Sequence, residues 1–478
     1  MDTKSLLLAL LAGLLTALAL PNELFPLGNV AISLIALMPY FLSLYRLRTA
    51  REASACGALY GGVSTFLSNY WLMFFGEFSV WTIGGVTLAY ILFHALLAPF
   101  LHRFLRTPSL LRPFALAMLW TAYEYLKSIG FLGYPWGLIG YPAGGILPLM
   151  QHVDVTGVWS LSFLAAGINA LIAESVSRLL GWRPHTHASL QRATEPPPVE
   201  RRSGIALSIR ETALRQAAVF AVVLLLMLGY GWQALSSPLP TRGSFEALLI
   251  QQNEDSWERG NFSQALRTAQ RLTERALADH PDPELIAWSE TSLRYPYRHA
   301  GNYYDQHPGY KPFTRFLADL PAPLLTGAPY AADAENDIYY NGAILLDQDG
   351  ELRQYYGKQH LVPFAEHIPF WEFAAVRSFF QQVIGITAIW TPASEHRLFG
   401  VETDEAGTVR FGAPICFEDA FTGVVRGFRH AGADVIINLT NNSWSRTESA
   451  QIQHYVAARF RAVETRPALV RSINPGLT

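Results

Sequence analysis

About seven apolar runs fill the first half of the chain, a count set by span length, and they restrict its fold more than any other feature. They cover residues 4–20, 28–45, 53–75, 81–101, 114–130, 157–180 and 216–235. A helix needs about 20 apolar residues to cross a hydrocarbon core about 30 Å thick, so runs of this length read as membrane spans. The first is short, at about 17 residues against that measure, and it stops at Pro21 and Asn22. A secretory signal would be followed by a small-residue cleavage site, but here the next apolar run starts at once near Val30. Only 15% of the residues are charged and 50% are hydrophobic, where a soluble domain carries roughly 25% charged residues. A net charge of −2 without like-charge blocks gives no footprint for nucleic acid.

The links between runs alternate in charge. Arg46, Arg48 and Arg51 follow the second run, and Arg103, Arg106 and Arg112 the fourth. Arg183, Arg192, Arg201, Arg202, Arg210 and Arg215 follow the sixth, while the links around 21–29, 76–80 and 131–156 are nearly free of basic residues. Basic links stay on the cytoplasmic side. The N-terminus is therefore expected inside, and an odd number of spans puts the chain from about 240 onward outside the cytoplasm. This divides it into a transmembrane domain over 1–239 and an extracytoplasmic domain over 240–478. Cys56 and Cys416, the two cysteines, then fall on opposite sides of the bilayer. A disulfide requires Cα atoms within roughly 7 Å, so they are not expected to pair.

Within the first part, Glu124 sits in WTAYEYLKS, where an ionised group at mid-membrane costs about 2.5 kcal/mol or more. It is expected near the interface or paired with a neighbouring helix. GYPWGLIGYP, 133–142, offers Tyr134, Trp136 and Tyr141 to the headgroup layer, as an interfacial anchor or as a lipid-binding surface. Residues 183–215, with TEPPPVERR and no periodicity, read as a mostly disordered cytoplasmic link. SSPLP, 236–240, is a turn-rich junction.

From 244 the pattern changes to short strands alternating with amphipathic helices, which predicts an α/β layered domain. FEALLIQQN, ELIAWSE, APLLTGAPY, VRFGAPICFED and ADVIINLTNNSW read as strands, and NGAILLDQDGELRQYYGK as a hairpin turning at Asp-Gly. Residues 263–280, YKPFTRFLADL and AQIQHYVAARFRAVETR read as helices. Three reactive side chains fall at the ends of apolar strands: Glu290, Lys358 and Cys416. A free thiol, with a pKa of about 8.5, is a poor nucleophile at neutral pH. It needs a base such as a carboxylate, and a cation can stabilise the charge that develops. A Cys–His pair using His360 or His454 is a further option, and each of the three groups also has a plain structural reading. The histidines show no metal-ligand spacing.

WSE at 288–290, YGKQHLVPFAEHIPF at 356–370, PICFE at 414–418 and NLTNNSW at 438–444 stand in order. They resemble the signatures of the nitrilase, or carbon–nitrogen hydrolase, superfamily. With the spans in front, GYPWG before and HYVAARFRAVETRPALVRSINPGLT after, the whole chain is similar to its membrane-anchored branch, the apolipoprotein N-acyltransferases. The resemblance implies a multi-span α-helical membrane domain plus an α/β nitrilase-like αββα sandwich on the periplasmic side of a bacterial inner membrane. It implies Glu290 as general base, Lys358 as charge stabiliser and Cys416 as nucleophile, with Glu366 and Glu418 in supporting acidic positions. No cofactor or metal is implied. Ser289, Ala365 and Ser445 depart from the family pattern and leave the three reactive groups intact. The resemblance also leads one to expect more of the domain and a last transmembrane helix beyond Thr478.

The implied reaction is ping-pong acyl transfer. A membrane phospholipid gives its acyl chain to Cys416, and the α-amine of a diacylglyceryl-cysteine at an apolipoprotein N-terminus takes it up. Pulling a chain into water costs about 0.8 kcal/mol per CH₂, so the site should open onto the bilayer. Residues 367–390, with Phe370, Trp371, Phe373, Phe379 and Phe380, could form a lipid-contacting arm or an ordinary core helix. Trp257, Trp444, Trp371 and Trp136 are candidate substrate contacts. The rival functions are a membrane-tethered amide or nitrile hydrolase and a non-catalytic scaffold.

Overall fold

The computed structural model describes residues 2–74, 79–105, 107–108, 110–182, 199–254, 261–384, 389–445 and 447–477, with only the backbone given for 199–210 and 384. The chain forms two compact units. One comprises Met1–Ser128, Tyr134–Pro238 and Ser445–Glu464, and the other Ile129–Gly133, Leu239–Trp444 and Thr465–Thr478. The boundary at Pro238/Leu239 lies beside the division at 239/240 expected from the sequence, and two further segments are exchanged between the units.

Among the described residues each apolar run contains at least one helix. In order these are α1 (Thr3–Ala19), α2 (Val30–Ala36), α3 (Met38–Leu44), α4 (Ala50–Ser68), α5 (Ser79–Phe104), α6 (Arg112–Lys127), α7 (Trp159–Leu179) and α8 (Val199–Ser236). Among the described residues three helices are long and apolar enough to cross a membrane: Ser79–Phe104, Trp159–Leu179 and Glu211–Ser236. The second run is broken where Pro39 removes a backbone donor and crowds the preceding turn. Asn169 of α7 repairs the break, accepting from Leu37 N at 2.8 Å and Met38 N at 2.9 Å and donating to Ser33 O at 2.8 Å. The α4–α5 contact depends on small residues: a Cβ on Gly57 would sit 2.2 Å from His94 O, and one on Gly61 2.5 Å from Tyr90 O. Glycines spaced by four on one face let two backbones touch.

Two expectations fail here. The stretch 199–215 is not a disordered link, because α8 begins at Val199. Its Ala, Leu, Arg and Glu residues are good helix formers, and Arg215 pairs with Glu211 one turn away at 2.5 Å. Residues 183–198 of that link lie outside the described residues. The 133–142 turn is not an interfacial surface either. Trp136 is buried, stacked on Tyr134 with ring centroids 5.3 Å apart.

The second unit holds two sheets. The first has order β1-β2-β3-β4-β5: β1 (Ala247–Ile250), β2 (Leu285–Trp288), β3 (Leu324–Asp333), β4 (Ile338–Leu346) and β5 (Leu352–Gly357). β1, β2 and β3 are parallel, and β4 and β5 complete the sheet antiparallel. The second has order β6-β7-β8-β9: β6 (Phe399–Thr403), β7 (Gly407–Gly412), β8 (Val435–Asn441) and β9 (Ala468–Asn474). β7, β8 and β9 are parallel, with β6 antiparallel at the edge. Strands such as LIAW of β2 are buried on both faces, which is why they read as unbroken apolar runs.

Helices α9 (Phe262–Asp279), α10 (Tyr297–Gln306) and α11 (Phe313–Ala318) cover the first sheet. Phe262, Leu266, Tyr304, Phe313 and Phe316 pack there around Trp288, whose Nε1 donates to Thr273 Oγ1 at 2.9 Å. Between the sheets, Ser472 Oγ of β9 donates to Ala287 O of β2 at 3.0 Å. On the second sheet, α13 (Thr422–Ala431) seats Phe428 against Gly412; α14 (Glu448–Thr465) follows β8 in the chain and groups with the first unit. Among its described residues the 367–390 segment holds the short helix α12 (Ala374–Phe379), which has no buried residue, and a π-helical turn over Phe380–Ile384. Phe370, Phe373 and Phe379 are exposed, so it is not a core helix; residues 385–388 lie outside the described residues.

Candidate active site

Three strand ends deliver the site. Glu290 follows β2 by two residues, Lys358 follows β5 directly, and Cys416 follows β7 by four. β2 and β5 run in the same direction within the first sheet, with two antiparallel pairings between them, so their C-terminal ends lie on one edge. β7 of the second sheet brings Cys416 to the same site. Gly327 of β3 permits the Glu290 turn, since a Cβ there would lie 2.5 Å from Glu290 Cα.

Lys358 is fully buried. Its Nζ donates to Glu366 Oε1 at 2.8 Å and to Glu290 Oε1 at 3.4 Å. Asn341 Nδ2 donates to the same two oxygens, at 2.8 Å and 2.9 Å. Each carboxylate is held at its far end by a backbone donor: Val362 N at 2.7 Å for Glu366 and Asn441 N at 3.0 Å for Glu290. Glu290 and Glu366 are thus pinned at both oxygens around one ammonium. Burial works against the Lys358 charge, but Glu366, Glu290 and the Cys416 sulfur outweigh it and raise its pKa. Lys358 stays cationic.

Cys416 opens a short helical turn, Cys416–Ala420, with φ of +54°. A non-glycine residue there is unusual and costs of order 1–3 kcal/mol, paid back by surrounding contacts. Those contacts come chiefly from Glu418. Its carboxylate accepts from Ile415 N at 2.8 Å, Gln359 N at 2.8 Å, His360 N at 2.9 Å and Tyr356 Oη at 3.0 Å. One fully buried side chain so ties the cysteine turn to the residues after Lys358. Burial pushes Glu418 up to about 7, against the backbone donors and Lys358 that favour its anion. Asn438 Nδ2 adds a bond to Cys416 O at 2.9 Å.

Burial and the Glu290 charge push the Cys416 thiol well above its ordinary value, and Lys358 only partly opposes them. The resting thiol is protonated, so it can attack only as its proton leaves. Such an arrangement suits a buried nucleophile with a carboxylate to take that proton and an ammonium to stabilise an oxyanion.

The structure brings together Glu290, Lys358 and Glu366 by hydrogen bonds, with Cys416 in their electrostatic reach and Glu418 behind its turn. His360 packs against Phe421 with ring centroids 3.8 Å apart and tilted by 35°, and burial with the Lys358 charge lowers it to about 4, so it is neutral. His454 belongs to the other compact unit. Trp371 and Trp444 are half-buried, Trp136 is buried, and Trp257 lies outside the described residues. Sequence reasoning missed Asn341 and Asn441. The signal for Asn341 was a polar residue in the otherwise apolar NGAILL strand.

Residues 12–171 match the family model of the apolipoprotein N-acyltransferase N-terminal domain, and residues 249–476 that of the carbon–nitrogen hydrolases. Over 474 residues the chain is 35% identical to apolipoprotein N-acyltransferase 2 of Treponema denticola, covering 99% of this chain and 86% of that protein. It is 35% identical to apolipoprotein N-acyltransferase 2 of Treponema pallidum over 504 residues, covering 100% and 85%. Identity to apolipoprotein N-acyltransferase of Borreliella burgdorferi is 30% over 480 residues, covering 100% and 85%.

Proposed function

Because this chain belongs to the apolipoprotein N-acyltransferase family, we propose that it moves an acyl chain from a membrane phospholipid, through a thioester on Cys416, to the N-terminal amine of a diacylglyceryl-cysteine. The observation that carries this reading is the Glu290–Lys358–Glu366 cluster acting on Cys416. Glu290 takes the thiol proton as sulfur attacks the ester carbonyl. Lys358 stabilises the oxyanion, the C–O bond breaks, and Glu290 returns the proton to the departing lysophospholipid oxygen. In the second half the acceptor amine attacks the thioester, the C–S bond breaks, and the amine's proton passes through Glu290 to the sulfur. Glu366 and Glu418 position Lys358 and the cysteine turn.

The first unit is the membrane domain in this reading, with about seven spans and the second unit on the periplasmic side, as the alternating basic links argue. Outward-facing Leu88, Leu92, Leu96 and Phe100 form an exposed apolar stripe along α5, a surface suited to lipid rather than water. Exposed Phe370, Phe373 and Phe379 make the 367–384 arm the proposed lipid contact of the catalytic unit.

The test is mass spectrometry of the protein after incubation with a phospholipid carrying a labelled acyl chain. A labelled thioester on Cys416, discharged by a diacylglyceryl-cysteine peptide and absent from Cys416→Ala, is the expected result. Ammonia release from small amides without that adduct would favour a hydrolase instead.

A further inference from the structure

The first unit contains a cavity of about 30 Å³ lined by residues of α1, α4, α5, α6 and the turn 134–139. Its wall is polar where a helix bundle is usually apolar, with Tyr90, His94, Glu124 and Lys127 among the lining residues. Glu124 Oε1 is satisfied, accepting from Trp120 Nε1 at 3.0 Å and Ile139 N at 2.8 Å. Its Oε2 has no hydrogen-bond partner among the described residues. The same holds for Tyr90 Oη and for His94 Nδ1, although His94 Nε2 meets Tyr123 Oη at 3.0 Å. All three side chains are more than nine-tenths buried, with exposures of 1% for Glu124, 3% for His94 and 7% for Tyr90. Ser162 Oγ lies near enough to act on the Glu124 carboxylate, although the pair misses hydrogen-bond geometry. That hydroxyl can serve a single lone pair and leaves Tyr90 and His94 as they are.

An orphaned buried polar atom costs the full loss of its hydration, and Tyr90 Oη and His94 Nδ1, on one cavity wall with a Glu124 oxygen that only Ser162 approaches, call for a shared partner. A water needs roughly 10–15 Å³ of such space and two to four polar neighbours. The cavity provides both.

We propose that this cavity is a buried hydration site, in which ordered water bridges Glu124, His94 and Tyr90. The site has a structural consequence. Glu124 holds the 134–139 turn through Ile139 N–H, Lys127 Nζ donates to Trp136 O, and Lys127 O accepts from Tyr134 N at 2.7 Å. The water therefore completes the solvation of the groups that grip this turn by its main chain. The turn in turn presents Trp136 to His454 of α14, with ring centroids 6.1 Å apart.

The direct test is an experimental density map of the full chain in a lipid nanodisc, at a resolution that shows waters. One or two water peaks within hydrogen-bond distance of at least two of the three residues are expected. A dry cavity, or one filled by a lipid atom, overturns the proposal. Variants give a second measure. Glu124→Gln keeps one acceptor and can donate to water, so its Tm should stay within about 2 °C of the parent. Glu124→Leu strands Ile139 N–H and the water, and its Tm should fall by roughly 3–10 °C. A leucine variant as stable as the parent would mean that the site is better dry, as happens when buried charge is replaced by good packing. Both readouts are independent of acyl transfer.

Discussion

Replacing Glu418 by glutamine is the sharpest probe of how the proposed nucleophile, Cys416, is held. The substitution keeps size and shape but turns one acceptor oxygen into a donor. If the remaining oxygen stays with Gln359 N and His360 N, the new amide faces Ile415 N–H, which now sits 2.8 Å from an acceptor. The opposite orientation is worse, because two backbone donors lose their partner. Tyr356 Oη can rotate to accept, so one orphaned N–H is the minimum cost, about 1–3 kcal/mol. For a unit of this size that corresponds to a fall in Tm of roughly 2–12 °C. The larger effect should be on rate. Ile415 immediately precedes Cys416, and a nucleophile displaced by about 1 Å costs on the order of 10²-fold. Thermal unfolding and single-turnover formation of the Cys416 acyl adduct, measured on the same preparation, read the two effects separately. Glu418→Gln with parental Tm and an acylation rate within about twofold of the parent would refute the clamp, since the expected loss is on the order of 10²-fold.

Further outcomes follow from the same contacts. Asn341→Leu removes the amide that bridges Glu290 and Glu366; acyl transfer should fall by about 10–10³-fold through misoriented carboxylates, with the phospholipid KM little changed. Gly61→Ala places a methyl 2.5 Å from Tyr90 O and should destabilise the helix bundle by about 1–3 kcal/mol, seen as a lower Tm without a change in the pH profile. His360, held at about 4 by burial and Lys358, takes up its proton more readily once unfolded, where its pKa is about 6.5. Native stability should therefore fall as pH drops from about 6.5 to 4, by up to roughly 3 kcal/mol. Tm against pH for His360→Gln should be flatter in that window, and an identical acid slope would remove His360 as its source.

The sequence by itself determined what is local. Apolar length marked out seven runs, the second of which folds as two helices, and period-two and helical patterns placed most strands of the second unit, though β6, β9, α10 and α13 went unread. Strand-end position and the motifs singled out Glu290, Lys358, Cys416, Glu366 and Glu418, because each sits beside a recognisable run. The tertiary structure decided what those groups touch. Asn341 meets Glu290 across 51 positions, Lys358 meets it across 68 and Asn441 across 151. Strand order and register set such encounters, and no window of sequence contains them. The same reason explains Trp136, which has the composition of an interfacial anchor but is buried by Tyr134 and α14. It also explains α14, which reads as one more helix of the sandwich yet groups with the first unit. There Gln453 Nε2 donates to Pro21 O and Ser68 O, at 3.2 Å and 2.8 Å. Periodicity reports that a face will be buried; only the assembled fold decides against what.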